Sequence, residues 1–256
     1  MTRSTVLAYH AVGSCPRSED RHNLFVANEA FEKQMSYLAR HREVVPLADV
    51  VAGRTRGKRP LVAITFDDGY RNVLHSAGPI LARYGFPSTV FVPTDWRARV
   101  NGWIEPSTCD FEIMGDDELR LSEDAGIAVE SHGHAHIDMS VATREEVARD
   151  IGTSLDELEK TIGRRPTFLA YPYGRIASWT PEVAASCGLE AAFTIDERHG
   201  GRFAFERVQV TPLDGTVTFA LKTTGRYLEV RRSKVVTTTY GAVKPIVRRA
   251  LGRGRA

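Results

Sequence analysis

Two adjacent carboxylates, Asp67 and Asp68, stand in the run Thr65-Phe66-Asp67-Asp68-Gly69-Tyr70, directly after the apolar stretch at 61–64. Neighbouring carboxylates repel each other, and a nearby cation relieves the repulsion. The plain alternative is a turn whose Asp caps the helix that follows. A second cluster, Glu130-Ser131-His132-Gly133-His134-Ala135-His136, packs three of the eight histidines of the chain into five residues. The spacing of His132 and His136 lets both imidazoles reach one ion on a turn, against the alternative of solvent-exposed loop histidines. The zinc-protease pattern HExxH is excluded, because Gly133 stands where its Glu would be and the segment follows a strand end. Combined, the two clusters offer two imidazoles and one carboxylate, a set that leaves coordination positions open for water and substrate. A third run, Phe168-Leu169-Ala170-Tyr171-Pro172-Tyr173-Gly174, can build a rigid wall for a sugar ring and present a backbone amide to an oxyanion; the competing reading is core aromatics that end a strand. No GxSxG nucleophile elbow is present.

All three runs begin where a short apolar, β-rich stretch stops. Such stretches predict strands at 5–10, 61–66, 89–92, 127–131, 167–171 and 191–195. Helical periodicity fills the gaps. Phe31, Met35 and Leu38 share one face after Asn28, and Val73, Ala77, Ile80 and Leu81 form a stripe that stops near Gly85. Thr143 and Glu146 make a capping box ahead of Val147, Ile151, Leu155, Leu158 and Ile162, with Gly163 as the stop. Thr180-Pro181 opens another helix. Strands alternating with helices imply βαβ units and a mostly parallel sheet, closed into a barrel or left open. In such folds ligands collect beyond the carboxyl ends of the strands, where all three runs lie.

The order and spacing of TFDDG at 65–69, HxxxH at 132–136 and AYPYG at 170–174 resemble the NodB-homology polysaccharide deacetylases, carbohydrate esterase family four, over about residues 4–215. The resemblance implies an α/β fold, a distorted (β/α) barrel of about seven strands. It implies Asp67 as catalytic base, Asp68, His132 and His136 as ligands of a divalent metal, usually zinc, and the Tyr173 amide at the oxyanion site. Tyr171, Pro172 and Tyr173 would form the substrate wall. This chain departs from the family pattern in three places. Gly133 replaces a Ser or Thr, and Ala170 replaces an Arg that contacts the catalytic Asp. Arg207, in Glu206-Arg207-Val208, is the candidate to supply that guanidinium and is grouped with the substrate-side residues. The late leucine-x-histidine motif that carries a general acid is absent. A branch of the family holds the equivalent strand at its N-terminus by circular permutation, and Tyr9-His10 makes His10 the candidate acid, with His199 and a structural His10 as competing readings. A closed barrel keeps that histidine on the same face.

The activity implied is metal-dependent removal of N-acetyl groups from an amino-sugar glycan or glycan precursor. Two alternatives keep the same residues: a non-catalytic glycan-binding protein, and a non-haem iron oxygenase, although oxygenases of that kind usually use an all-β jelly roll. Hydrophobic residues at 42% and charged residues at 26% describe a globular chain, and 256 residues suffice for one barrel. The net charge of +2 conceals an asymmetry. Residues 222–256 hold ten Lys or Arg against one acid, a net +9, and the remainder carries −7. The expected division is therefore a catalytic domain over 1–221 and a basic tail over 222–256, where Val243, Ile246, Val247, Ala250 and Leu251 share a helical face suited to an anionic membrane surface. No nucleic-acid partner is expected. Three widely spaced cysteines, Cys15, Cys109 and Cys187, exclude a full disulfide framework and read as inert thiols. With no apolar run of spanning length and no leader pattern, a cytoplasmic location is expected, with the inner membrane face as a docking site.

Overall fold

The computed structural model describes residues 4–54, 59–195 and 200–228. The chain opens with β1 (Ser4–Tyr9), β2 (Ala11–Val12), β3 (Phe25–Val26), α1 (Asn28–His41), β4 (Glu43–Val44) and α2 (Leu47–Val51). It continues with β5 (Leu61–Phe66), a π-helical turn at Val73–Ala77 running into α3 (Gly78–Tyr84), β6 (Ser88–Val92), α4 (Asp116–Asp124) and β7 (Ile127–Ser131). Then follow α5 (Arg144–Ile162), β8 (Phe168–Ala170), α6 (Thr180–Ser186), β9 (Ala191–Thr194), β10 (Phe205–Glu206), β11 (Val208–Gln209) and α7 (Thr216–Lys222).

The main sheet runs β10-β9-β8-β7-β6-β5-β1-β11, and β4 adds to the start of β5. Its pairings are all parallel. Strands covered on both faces read as continuous apolar runs, which is why Leu61–Phe66 and Ser88–Val92 are buried at every position. The two edges of the sheet belong to one short segment. Phe205 and Glu206 pair with β9, Val208 and Gln209 pair with β1, and Arg207 stands between them. Counting that segment as one strand gives the seven-stave distorted barrel that the family resemblance implies.

Alternation along the strands separates two cores. Val6, Ala63, Phe91, Phe168, Ala170 and Phe193 pack together inside the barrel. Their neighbours Leu7, Tyr9, Ile64 and Phe66 face outward and meet Phe31, Met35 and Leu38 of α1. On α5 the capping box forms as expected: Thr143 Oγ1 accepts the Glu146 amide at 3.3 Å, and Glu146 Oε2 accepts the Thr143 amide at 2.8 Å.

Two expectations change. Cys15 and Cys109 are not inert thiols but a disulfide, with Cα atoms 5.2 Å apart, and Cys187 alone is free. The packed body also passes residue 221: Lys222 is 6% exposed, with its ammonium 2.6 Å from Asp214 and 2.7 Å from the Gln209 carbonyl. Residues 229–256 of the basic tail, with its candidate membrane-facing stripe, lie outside the described residues, and among those described no helix is long and apolar enough to cross a membrane.

Candidate active site

The site sits on the rim formed by the carboxyl ends of the strands. β1 and β5 run in register, Tyr9 opposite Phe66, and the Asp67 amide donates to the Tyr9 carbonyl at 2.9 Å. His10 and Asp67 therefore leave neighbouring strands side by side. Past that point the chain turns through two left-handed residues, Asp68 at φ 69° and Gly69 at φ 68°. A Cβ on Gly69 would lie 3.1 Å from the Val92 methyl groups, so the turn needs both the conformation and the small size of glycine.

Asp67 points into the barrel. Arg207 grips it with two hydrogen bonds, Nη1 to Oδ1 at 2.6 Å and Nη2 to Oδ2 at 2.7 Å. The same guanidinium donates to Thr65 Oγ1 at 3.2 Å and lies over the Phe91 ring, 5.3 Å from its centroid. Arg207 is thus no part of a substrate surface. Its side chain is fully buried, and it meets Asp67 from the strand that closes the barrel. Burial pushes the Asp67 carboxyl up, but Arg207, His132 and His10 pull it down further, so it stays below its usual range.

Beyond β7 the chain delivers the imidazoles. His132 Nδ1 is 2.8 Å from the Ala170 carbonyl, which can only accept, so Nδ1 carries a proton and Nε2 is the nitrogen turned to Asp68. That Nε2 lies 3.4 Å from Asp68 Oδ1, and His136 Nε2 lies 3.3 Å from the same oxygen. Burial pushes the Asp68 carboxyl up, yet hydrogen bonds from both histidines and the charge of His10 hold it well below its usual range. Asp68, His132 and His136 offer ligand atoms within 4.8 Å of one another, the one such group among the described residues. Two neutral-capable imidazoles and a carboxylate, with one ring already oriented, are a donor set that fits a divalent metal. Asp68, His136 and Tyr173 are three of the five non-glycine residues with positive φ among those described. Conformations of that kind cost on the order of 1–3 kcal/mol each and persist only where the surroundings impose them.

The hydroxyl expected after His132 is not missed. Asp150 of α5 takes its place, accepting the His134 amide at 2.9 Å and the Ala135 amide at 2.8 Å, while Ser131 Oγ accepts the Gly133 amide at 3.1 Å. Gly133 has φ 78°, and a Cβ there would come within 2.4 Å of Asp150 Oδ2. Gly133→Ser is therefore expected to cost about 1–3 kcal/mol of stability, read as a lower urea midpoint; an unchanged midpoint would mean the loop reaches its shape by another route.

His10 lies on the rim, half-buried, and its charge reaches both Asp67 and Asp68. The competing His199 lies outside the described residues. Of the aromatic wall, only Tyr173 faces solvent, 45% exposed. Tyr171 and Pro172 are buried, and the Tyr171 hydroxyl is spent on the Phe203 carbonyl at 2.8 Å, so they support the wall from within. Sequence reasoning passed over Trp103, which stacks on His136, Tyr70 beside Asp68, and Asp150. A signal existed for Asp150, a charged residue on the buried stripe of α5 next to Ile151. Trp96 and Trp103, two of three tryptophans within one polar stretch, were another.

The chain is similar to known proteins in varying degree. YxkH of Bacillus subtilis is 25% identical over 215 residues, 81% of this chain and 71% of that protein. A poly-beta-1,6-N-acetyl-D-glucosamine N-deacetylase of Staphylococcus aureus is 25% identical over 193 residues; the match takes in 71% of this chain but only 64% of the relative's length. Among solved structures, the Streptococcus pyogenes deacetylase PplD in complex with acetate superposes with a TM-score of 0.74 at 20% identity, covering 87% of this chain and 98% of that one, a likeness of fold. The polysaccharide deacetylase family model matches residues 54–192, from just before β5 into β9 and over half of the chain, and the chain belongs to that family.

Proposed function

We propose that this protein hydrolyses N-acetyl groups on the amino sugars of a glycan, with a divalent metal, zinc by preference, held by Asp68, His132 and His136. The observation that carries the reading is the placement of Asp67, a charged and buried carboxylate, directly beside that ligand cluster on an open rim. A metal in that place supplies Lewis acidity, which makes water easier to deprotonate and an amide carbonyl easier to attack. Asp67 takes the proton from the attacking water, and Arg207 keeps the carboxylate ionised beforehand. The Tyr173 amide donates to the oxygen that becomes negative as the carbonyl carbon turns tetrahedral. His10 gives a proton to the sugar nitrogen as the carbon–nitrogen bond breaks, leaving acetate and a free amine. The substrate named for the Staphylococcus aureus relative, a β-1,6-linked N-acetylglucosamine polymer, supports a polymeric amino sugar as the class.

Acetate release from N-acetylglucosamine oligomers tests the reading. Activity should vanish after chelation and return with zinc; acetate release that survives exhaustive chelation would refute it, as would tight glycan binding without turnover in the zinc-loaded protein. His10→Gln should lower kcat about 10² to 10⁴-fold with zinc affinity unchanged; a smaller loss would move the acid role elsewhere. The cytoplasmic expectation fits this protein less well than an oxidising compartment does, because a cystine persists where thiols are not kept reduced. Metal analysis of protein purified without added metal tests the choice of zinc.

A further inference from the structure

Between Arg97 and Met114 the chain has almost no regular structure. Single antiparallel bridges, Val100 with Glu112 and Tyr70 with Ile113, hold its ends, and residues 102–110 belong to no helix or strand. Yet this stretch supplies a side chain that reaches the ligand cluster. Trp103 lies face to face with His136, ring centroids 3.8 Å and planes 15° apart. Asn101 donates from Nδ2 to the phenol oxygen of Tyr70, two residues past Asp68, at 2.8 Å. Tyr70 and Asn101 are both buried, so that bond does not compete with bulk water.

An irregular segment without a ladder samples many conformations unless something else restrains it. Here one restraint is the loop that follows His10. Cys15 in that loop is bonded to Cys109 across 94 residues. Alongside, Glu19 accepts the Thr108 amide at 2.9 Å, and Arg21 pairs with Glu105. The Arg21–Glu105 pair is exposed on both sides and worth little; the cystine adds a covalent tie to the packing of Trp103 on Trp96, ring centroids 5.3 Å apart, and to the Asn72 hydrogen bond to the Asp110 carbonyl.

We propose that Trp103 is a positioning residue for His136, and that the Cys15–Cys109 cystine holds it against the cluster. The stacked indole limits rotation of the His136 ring, whose Nδ1 makes no hydrogen bond among the described residues, and so keeps its Nε2 on the Asp68 oxygen. Most ligating histidines are oriented by a hydrogen bond through the second nitrogen, as His132 is through Ala170. His136 uses a ring face instead.

This inference rests on the metal-dependent reading above, and its test is zinc affinity, which requires no substrate. The full-length chain, its Cys15→Ser/Cys109→Ser variant, Trp103→Ala and Trp103→Phe are titrated with zinc against a chelating dye, with circular dichroism confirming that each is folded. Loss of outer partners of this kind typically weakens metal binding about 10- to 100-fold. That loss is expected for the double serine variant and for Trp103→Ala, while Trp103→Phe, which keeps a flat ring, should stay close to the parent. A cystine that merely stabilises the fold would lower the urea midpoint and leave zinc affinity of the folded variant unchanged, and that result overturns the proposal. So does a count of three free thiols in the native protein in place of the one expected from Cys187. If the order of affinities holds but no N-acetylated glycan is turned over, the inference stands and the deacetylase reading falls. If glycan is turned over but all four proteins bind zinc equally, the outcome is reversed.

Discussion

Asp67→Asn should reduce turnover about 10² to 10⁴-fold, the usual contribution of a general base, with zinc affinity close to that of the parent because Asp68, His132 and His136 are untouched. The substitution has a second effect that the assay must separate. Arg207 remains buried with no opposite charge beneath it, and it now faces an amide that can accept only one of its two hydrogen bonds. Removing one partner of a buried ion pair costs about 3–5 kcal/mol. The variant should therefore unfold at markedly lower urea concentration, and rates should be compared on protein shown to be folded at the assay temperature. A folded, zinc-loaded Asp67→Asn protein that retains more than a tenth of parental kcat would remove Asp67 from the role of base.

Arg207→Met tests the same pair from the other side. It too should lose about 3–5 kcal/mol, but its signature lies in the pH dependence. In the native protein the Asp67 pKa is depressed, so the pair's contribution is fully present above the ordinary carboxylate range and is lost only as pH falls through the lower folded value. Without the guanidinium, burial, the largest single influence on the carboxyl, is opposed only by His132 and His10, and the pKa rises. Stability tied to Asp67 would then be greatest at acid pH and decline as pH rises through the raised value. The stability gap between parent and variant should accordingly widen from acid to neutral pH in urea titrations. The acid limb of the kcat profile should move to higher pH in the variant. A limb that does not move would show that something other than Arg207 keeps the base ionised.

What was legible in the sequence follows physical rules with local signatures. The strands at 4–9, 61–66 and 88–92 are largely β-branched and apolar runs, and α5 carries its capping box in Thr143 and Glu146, its stop in Gly163 and a stripe at Ile151 and Leu155 read by period. The ligand cluster was readable because a parallel barrel sends every strand end to one rim, so three separated runs had to meet. Other parts left no such trace. Glu43–Val44, Phe205–Glu206 and Val208–Gln209 are two residues each, too short for any period, and exist only because longer neighbours offer an edge. The helix α2 spans five residues and α7 seven, below the length at which an apolar face declares itself. The Cys15–Cys109 bond was hidden by an odd cysteine count, since nothing local to either residue says which of the three is left over. Arg207 could be suspected from the missing third-motif arginine, but its placement inside the barrel, and not on the substrate surface, depends on a seam that only the complete sheet defines.

That seam links assembly to reactivity. The guanidinium that keeps Asp67 charged hangs between the two short strands that bring the first and last edges of the sheet together. A chain whose final stave has not yet arrived has no cation to offer its buried carboxyl, and a bare carboxyl in that apolar interior takes up a proton. With Asp67 as the proposed base, such a chain would draw no proton from water, whatever metal it had gathered, and hydrolysis would begin only once the cylinder is shut.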